Sequence, residues 1–206
     1  WEIKNNVLTV LSSNGKESEN GGDIVTNKKF KNFELELDFK ISEGANSGIK
    51  YFVDTYLNKG AGSSIGLEYQ ILDDKNHLDA NKKFKVYEYS NKSWVLHKED
   101  IKKNRSMGSL YDLIEAENLN EERSTRPVHP ETWHRARIIA NEGHVEHWLD
   151  NIKLLEYNRF SQVFKALVEY SKYSKWENFG QFDSGHILLQ DHGDRVSFKN
   201  IKIREF

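Results

Sequence analysis

The sequence contains no cysteine, which excludes disulfide bonds and thiolate metal sites. With only two prolines and thirteen glycines among 206 residues, it has no composition for a long flexible linker. No apolar run approaches the roughly 20 residues that a membrane-spanning helix needs. The length suits one domain with a full core, so we expect a single domain over residues 1–206 without a membrane span.

Neither sign of charge dominates, because the sequence has 30 basic and 32 acidic residues and a net charge of −2. Without a basic patch, nucleic-acid binding has little support. The glycine-rich dinucleotide fingerprint and the P-loop are absent, so no organic cofactor is expected. The serine elbow of a nucleophilic hydrolase is also absent. No signal peptide is recognisable, and the chain begins at Trp1 inside a predicted strand. We therefore expect that the natural start has been cut away.

Short segments of alternating apolar and polar residues run through the chain. In Phe33–Ile41 the alternation is regular, which predicts a strand with one face in the core. Ile49–Val53 is expected to follow as the return strand of a hairpin. About a dozen such strands, with helical spacing only over Phe160–Tyr173, predict an all-β fold of two antiparallel sheets with one short helix.

The segment Gly66–Asp79 combines a strand with an acidic turn. Alternation places Glu68 and Gln70 on the face opposite the apolar residues, and the strand then runs into a turn that contains Asp73 and His77. Polar groups at such places are costly unless they pair with one another, with a metal or with a ligand. The segment is therefore a candidate site element.

A second segment, Ile187–Asp194, has the same character. Its apolar strand runs into Gln190 and His192, which alternation groups on one face. The two segments leave two interpretations open. They form a shared binding or catalytic site, or they are ordinary half-exposed strands that end in solvated turns.

Two kinds of chemistry can be weighed from these residues. A conventional glycosidase needs two carboxylates across the sugar bond. Here Glu68 is followed by a glutamine, and Asp73 lies at an odd spacing that faces the other way in a regular strand. A metal site would use carboxylates and imidazoles, with His77, His147 and His192 as candidates. His147 shares a face with apolar neighbours, so a hydrogen-bonded core histidine is the alternative.

A set of short motifs spans the chain. They are GGDIVT at Gly21–Thr26, FELELDFKI at Phe33–Ile41, NSGIKY at Asn46–Tyr51, LEYQILDD at Leu67–Asp74 with His77, GSLYDLI at Gly108–Ile114, VEHWLDN at Val145–Asn151, SKY at Ser171–Tyr173 and ILLQDHGDRVSFKNIKIREF at Ile187–Phe206. Together they resemble the 3-keto-disaccharide hydrolase domain family, and Trp1 matches the tryptophan that follows the family's opening segment. One segment, Pro127–Ile138, departs from the family pattern around its tryptophan. This departure affects the expected local turn more than the resemblance to the family.

The resemblance implies a fold, an activity and a location. The implied fold is a concanavalin A-like lectin/glucanase jelly-roll sandwich. The implied activity is that of a glycosidase acting on sugars already oxidised to a ketone at C3. Many relatives are exported by bacteria of the Bacteroides type, so the resemblance implies a periplasmic, extracellular or cell-surface protein.

Oxidation at C3 changes the chemistry that a glycosidase needs. The proton on C2 becomes acidic because it lies next to a carbonyl. A base can remove it, and the resulting enolate expels the C1 substituent, after which water can add. This path needs one base and a cation or hydrogen-bond donor at the enolate oxygen, not two carboxylates around C1.

We assign roles on this hypothesis, with the site on the concave sheet. His147 or His192 is the base, Lys172 steadies the enolate, and Glu68 with His192 holds a divalent metal ion if one takes part. The expected substrate-binding residues are Asn46, Tyr51, Gln70, Asp73, His77, Trp94 and Gln190.

A non-catalytic carbohydrate-binding, lectin-like module on the same sandwich is the competing hypothesis. Such a module would stack sugar rings on Tyr87, Tyr89 and Trp94 and would tolerate the loss of any one acid. A structural or adhesive domain is the third alternative. The resemblance favours the enzyme, whose expected partner is a carbohydrate substrate. Nothing in the pattern indicates an oligomeric state.

Overall fold

The structure, a computed structural model, describes residues 1–57, 64–101, 103–117 and 128–206. Its strands are β1 (Glu2–Lys4), β2 (Val7–Thr9), β3 (Ile24–Val25), β4 (Phe33–Ile41), β5 (Asn46–Asp54), β6 (Ile65–Leu72), β7 (Lys83–Ser90), β8 (Ser93–Ile101), β9 (His134–Asn141), β10 (His144–Leu149), β11 (Ile152–Asn158), β12 (His186–Leu189) and β13 (Val196–Glu205). Its helix α1 spans Gln162–Glu169, and 3-10 turns span Leu78–Asn81, Lys103–Arg105 and Lys172–Lys175.

Two antiparallel sheets form the body of the protein. The larger sheet has seven strands in the order β1-β2-β13-β4-β9-β10-β11, and the smaller sheet has four in the order β3-β12-β5-β6. The segment after β6 forms a separate two-stranded hairpin, β7-β8. This arrangement confirms the predicted all-β sandwich of the jelly-roll type.

The core fills the space between the two sheets. The apolar side chains of β4 are at most 3% exposed, while the charged residues between them face outward. The smaller sheet contributes Tyr51 from β5 and Leu67, Tyr69 and Ile71 from β6, each 0% exposed. Burying one side chain of this size contributes about 1.5–3 kcal/mol, so a register slip that turned these faces outward would be strongly unfavourable.

The structure corrects one predicted pairing. Strand β4 does not form a hairpin with β5, because β4 pairs with β13 and β9 while β5 pairs with β6 and β12 in the other sheet. After Ile41 the chain crosses between the sheets in a tight turn, where Gly44 has a φ of +69° and donates its N–H to Asp73. Strands that follow each other in sequence can lie in opposite layers, because packed sheets are only about 10 Å apart.

Helix α1 is shorter than the segment Phe160–Tyr173 that the spacing predicts. Ser161 caps its start, because the Ser161 hydroxyl accepts the N–H of Phe164 at 3.1 Å. Phe164 is the buried residue of the helix, and the Lys172–Lys175 turn follows it. None of the helices in the described ranges has the length and apolar character that a membrane span requires.

Candidate active site

A pocket lies on the outer face of the smaller sheet, opposite the core. Strands β5 and β6 and the residues after β12 form its floor, and its cavity volume is about 190 Å³. One wall runs along the edge of β6, where the Tyr111 N–H donates to the Glu68 carbonyl at 3.0 Å. The pocket is lined by Glu17, Asn46, Lys50, Ile65, Gly66, Glu68, Gln70, Tyr111, Lys172, Tyr173, Trp176, Gln190 and His192.

Glu68 is the buried acid of the pocket. It lies on β6 opposite Lys50 of β5, with 3.9 Å between the Lys50 Nζ and the Glu68 Oε2. Burial raises the pKa of Glu68, and the nearby cations Lys50, Lys172 and His192 offset part of that rise. A carboxylate with a raised pKa is a stronger base, which suits proton abstraction near neutral pH.

Strand β5 leaves room for this carboxylate at a glycine. A Cβ atom added to Gly48 would lie 2.6 Å from the Glu68 Oε1 and 3.0 Å from its carboxyl carbon. A side chain at position 48 therefore requires Glu68 to move. The close approach explains why a buried strand carries a glycine at this place.

Two buried amide oxygens in the pocket lining have no hydrogen-bond partner among the described residues. They are the Oε1 atoms of Gln70 and Gln190. Gln70 is 2% exposed and Gln190 is 7% exposed. The Nε2 of Gln70 donates to the Asn46 Oδ1 at 3.1 Å, which holds the Gln70 amide in place. Buried acceptors without donors are costly. Both are therefore available to accept hydrogen bonds from the hydroxyl groups of a ligand.

Lys172 brings an ammonium group to one wall of the pocket. Its Nζ lies 3.1 Å from the Asp112 Oδ2 and 4.2 Å from the ring centroid of Tyr111. Asp112 in turn accepts two hydrogen bonds from Arg105, at 2.6 and 3.0 Å. Burial raises the pKa of Asp112, but the Arg105 and Lys172 hydrogen bonds outweigh it and lower that pKa overall. Asp112 is therefore a carboxylate that orients the lysine.

His192 stands at the opening of the pocket, after strand β12. Its Nε2 lies 2.9 Å from the Glu17 Oε1 and 3.4 Å from the Asn46 Nδ2. The Nε2 cannot donate to Glu17 and accept from Asn46 at the same time. The shorter contact makes it the donor to Glu17, which places an exchangeable proton beside the pocket.

Comparison with known proteins identifies the family. The family model described as the 3-keto-alpha-glucoside-1,2-lyase-like domain matches residues 1–204. The chain belongs to this family. A curated relative, the 3-keto-disaccharide hydrolase of Bacteroides thetaiotaomicron, is 33% identical over 224 residues, which cover 99% of this chain and 69% of the relative.

Solved structures agree with this lyase-like domain family. A crystal structure of a Parabacteroides distasonis protein named as a candidate glycosyl hydrolase covers 100% of this chain and 83% of its own, with 27% identity and a TM-score of 0.75. A second protein of that organism, with 22% identity and a TM-score of 0.65, covers 100% of this chain and 90% of its own and supports the fold. The comparisons confirm the predicted family and the prediction of a carbohydrate-active enzyme.

The lyase-like domain keeps His147 in its core and not in the pocket. The ring is 0% exposed, with its Nε2 2.7 Å from the Tyr51 hydroxyl and its Nδ1 2.9 Å from the Gly108 carbonyl. Burial lowers the pKa of His147 to about 4, so the ring is neutral at pH 7. This corrects the expected placement of His147 beside Glu68. The physical reason is its position on β10, where it shares the inward face with apolar residues.

Tyr51 belongs to the same buried network and does not line the pocket. Its hydroxyl lies 2.7 Å from the His147 Nε2 and 2.7 Å from the Tyr157 hydroxyl. Burial raises the pKa of Tyr51, so the group is a neutral hydroxyl. The expectation that Tyr51 contacts substrate is corrected, because alternation along β5 turns it to the core and turns Lys50 to the pocket.

Asp73 and His77 organise turns outside the pocket lining. Asp73 is 2% exposed, and its carboxylate accepts backbone N–H groups, that of Gly44 at 2.8 Å among them. The Nδ1 of His77 accepts the N–H of Asp79 at 3.1 Å and caps the 3-10 turn that follows. Neither residue is part of the pocket lining, so the structure does not bring them together with Glu68.

The remaining expected residues fall into two groups. Asn46, Gln70, Lys172 and the Gln190–His192 pair all line the pocket together with Glu68. The side chain of Trp94 lies outside the described part of the structure, although its backbone belongs to β8. The side chains of Tyr87 and Tyr89 on β7 lie outside it as well.

Several pocket residues were not predicted from the sequence, and Lys50, Tyr111 and Trp176 are among them. Lys50 could have been found, because the alternation of β5 places it on the same face as Asn46. Tyr111 and Trp176 lie between the regular elements, and no periodicity there shows which way a side chain points.

The described residues of the pocket do not form a compact group of carboxylate and imidazole ligands for a metal ion. Glu68 and His192 both line it, but no third carboxylate or imidazole in the described ranges completes a close cluster with them. Such a cluster does occur elsewhere in the lyase-like domain, where His144, Glu146 and Glu156 bring ligand atoms within 4.8 Å of one another on the larger sheet. At the pocket, any ion would need the free amide oxygens as additional ligands.

Proposed function

We propose that the domain cleaves the glycosidic bond of 3-keto glycosides and 3-keto disaccharides by removing the C2 proton and eliminating the C1 substituent. The observation that carries the proposal is Glu68, a buried carboxylate with a raised pKa held beside the Lys50 ammonium in the pocket. The curated relative named 3-keto-disaccharide hydrolase supports the substrate class.

Glu68 is the base in this reaction. It takes the proton from C2, and the electron pair of the broken C–H bond forms the enolate across C2, C3 and the ketone oxygen. Lys50 and Lys172 supply positive charge for that oxygen, which develops negative charge in the transition state. Both ammonium groups are in place before the reaction, so little reorganisation is needed.

The second step breaks the glycosidic bond. The C3 carbonyl re-forms, a double bond forms between C1 and C2, and the C1–O bond breaks while its oxygen takes up a proton. The products are an unsaturated keto sugar and an alcohol, and addition of water across the new double bond makes the net reaction a hydrolysis. Lys172 or His192 is the proton donor, since both are donors in the pocket lining.

Substrates with different leaving groups distinguish Lys172 from His192 as the proton donor. A nitrophenol leaves without a proton, whereas a sugar alcohol needs one. A His192→Gln variant that loses turnover of the disaccharide but keeps turnover of a nitrophenyl 3-keto glucoside identifies His192 as the acid. The same pattern in Lys172→Met would assign the role to Lys172, and a loss on both substrates would instead mark an enolate stabiliser.

A two-carboxylate mechanism has less support in the pocket. Among the described residues, the carboxylates of its lining are Glu17 and Glu68. Glu17 is half exposed and hydrogen-bonded to His192, so its charge is held at the opening. The unoxidised parent glycoside, whose C2 proton is not acidic, is therefore expected to resist cleavage.

A divalent metal ion is a second proposal for the same pocket. Glu68 and His192 would hold it, with the unpartnered amide oxygens of Gln70 and Gln190 as further ligands. When bound, such an ion would polarise the C3 carbonyl. Loss of turnover after dialysis against a chelator, restored by adding the ion back, supports it. Unchanged turnover contradicts it and leaves the two lysines as the cations of the site.

The deciding experiment compares a 3-keto glucoside with its unoxidised parent. The enone is followed by its ultraviolet absorbance and the released alcohol is measured separately, for the wild type and for Glu68→Gln. We expect cleavage of the keto sugar alone, with turnover lowered at least about 10²-fold in the variant, because a general base contributes factors of this order. Cleavage of both sugars would restore the two-carboxylate mechanism. Saturable binding without cleavage would favour the lectin-like module.

A further inference from the structure

A second pocket adjoins the first. It lies between helix α1 and the segment 174–181, and its cavity volume is about 400 Å³. Trp176 lines both pockets. This shared ring is the observation that links the two pockets.

The chemistry of the second pocket suits a neutral sugar ring. Glu169, Glu177 and Asn178 offer hydrogen-bonding groups at its walls, while Trp176 adds aromatic surface. Hydroxyl groups need such polar partners, and the C–H face of a sugar packs against an aromatic ring.

The turn that carries Trp176 is anchored by two buried aromatic rings. The rings of Tyr173 and Phe179 are stacked with 4.1 Å between centroids, and both side chains are buried. The backbone N–H of Trp176 also donates to the Tyr173 carbonyl at 3.0 Å. The indole stays half-buried on this anchored turn, so its position between the pockets is set before any ligand binds.

We propose that the second pocket binds the leaving half of the substrate, which is the second sugar ring of a 3-keto disaccharide. The inference rests on the proposed function, because the first pocket must hold the oxidised ring. It predicts that the domain prefers a disaccharide to a glycoside with a small leaving group. The preference is a difference in binding to groups outside the reacting centre.

The test removes side chains of the second pocket that do not line the first. Asn178 has a φ of +59°, so Asn178→Gly deletes its side chain without straining the backbone. Glu177→Ala is combined with it, and Gln162→Ala, an exposed change on α1 outside the lining, is the matched control. The readout is the ratio of kcat/KM for a 3-keto disaccharide to that for methyl 3-keto-glucoside.

We expect the double variant to lower this ratio roughly tenfold, as the loss of one or two hydrogen bonds predicts, and the control to keep it. An equal effect on both substrates, or no effect on the ratio, overturns the inference. Binding is measured in parallel by calorimetry in the Glu68→Gln background. If the wild type cleaves neither sugar, the proposed function fails. The calorimetric comparison then tests the proposed subsite by itself. Equal affinity for the two sugars overturns the inference. A higher affinity for the disaccharide that the double variant loses supports it.

Discussion

Asp112 acts on the pocket through Lys172 and not by touching the substrate. It holds the lysine at 3.1 Å while Arg105 holds the carboxylate from the other side. Its φ of +63° is a conformation that Asp and Asn tolerate better than other side chains. The backbone therefore presents the carboxylate to both cations.

We predict that Asp112→Asn lowers kcat by roughly tenfold or more with little change in KM, because an electrostatic stabiliser loses its fixed position. Lys172→Met should lower kcat further. The double variant should fall no lower than Lys172→Met alone, since the two residues act as one unit. Steady-state kinetics on all three proteins check this, and additive losses would show that Asp112 has an independent role.

Lys50 controls the protonation of Glu68. Its positive charge lowers a pKa that burial raises above the ordinary value of 4.5. Glu68 must be deprotonated to act as a base, so kcat/KM should fall as the pH drops through the folded-state pKa of Glu68. This acid limb is expected above pH 4.5.

Removing the charge of Lys50 should shift the pH at which kcat/KM falls. In Lys50→Met the pKa of Glu68 rises further, so the acid limb shifts to higher pH and the maximal rate falls. The pH dependence of kcat/KM measures the shift, with Lys85→Met on β7 as a control for the loss of one charge elsewhere. A limb that stays in place would mean that Glu68 is not the group that titrates.

Strand β5 serves the fold with one face and the site with the other. Its core face carries Tyr51, and its pocket face carries Asn46, Gly48 and Lys50. Both faces of the strand are buried from Asn46 to Val53, although the pocket face carries polar side chains. The site therefore lies on a strand whose polar residues are buried together with its apolar ones.

We predict that Gly48→Ala lowers turnover more than it lowers stability. The new Cβ would stand 2.6 Å from the end of the Glu68 side chain, which can move at the expense of its catalytic position. Gly185→Ala is the contrast, because its Cβ would lie 2.3 Å from the backbone of Phe52, which cannot give way. That variant should lose stability.

Kinetics and chemical denaturation of the two glycine variants separate the effects. Gly48→Ala should keep a denaturation midpoint near that of the wild type while kcat falls. Gly185→Ala should shift the midpoint strongly. A Gly48→Ala protein with full activity would contradict the assignment of Glu68 as the base.

The buried His147 network couples the stability of the whole molecule to pH. Its folded-state pKa of about 4 lies below the ordinary value of 6.5, because burial disfavours the charged ring. The unfolded chain therefore binds the proton more tightly than the folded one. This stability is present above pH 6.5 and is lost as the pH falls through about 4.

We predict that His147→Gln removes this pH dependence. A shift of this size corresponds to about 3 kcal/mol of unfolding free energy lost by the wild type between pH 6.5 and 4. The raised pKa of Glu68 acts in the opposite direction, since its contribution to stability is lost as the pH rises. Urea denaturation at several pH values, for His147→Gln and the wild type, measures the difference. If the unfolding free energy of the His147→Gln variant changed with pH as steeply as that of the wild type, the prediction would be contradicted.

The two sheets could be foreseen from the sequence, but their connections could not. The alternation in Phe33–Ile41 predicts β4 with the bounds that the structure shows. It is silent about whether the next strand pairs beside β4 or crosses to the other layer. The crossing at Gly44 depends on contacts with Asp73, which lies far along the chain.

The candidate site was foreseen in part for a related reason. Glu68 and Gln70 lie two residues apart on β6, and Gln190 and His192 continue the same spacing directly after β12, so the period of two groups each pair on one face. The structure brings all four to one pocket. His147 shares a face with Val145 and Leu149, which favours the core, but the sequence does not show whether buried partners satisfy its ring nitrogens there. The answer depends on the strands that pack against it.

The sequence by itself determined the all-β class, the faces of the regular strands and the family, because each of these is written in local periodicity and in motifs. Only the tertiary structure decided that Lys50 pairs with Glu68, that Trp176 separates two pockets and that His147 is a core residue. These facts rest on contacts between residues distant in the chain. Burial and charge at such contacts depend on the packing of both sheets and the turns that cover them.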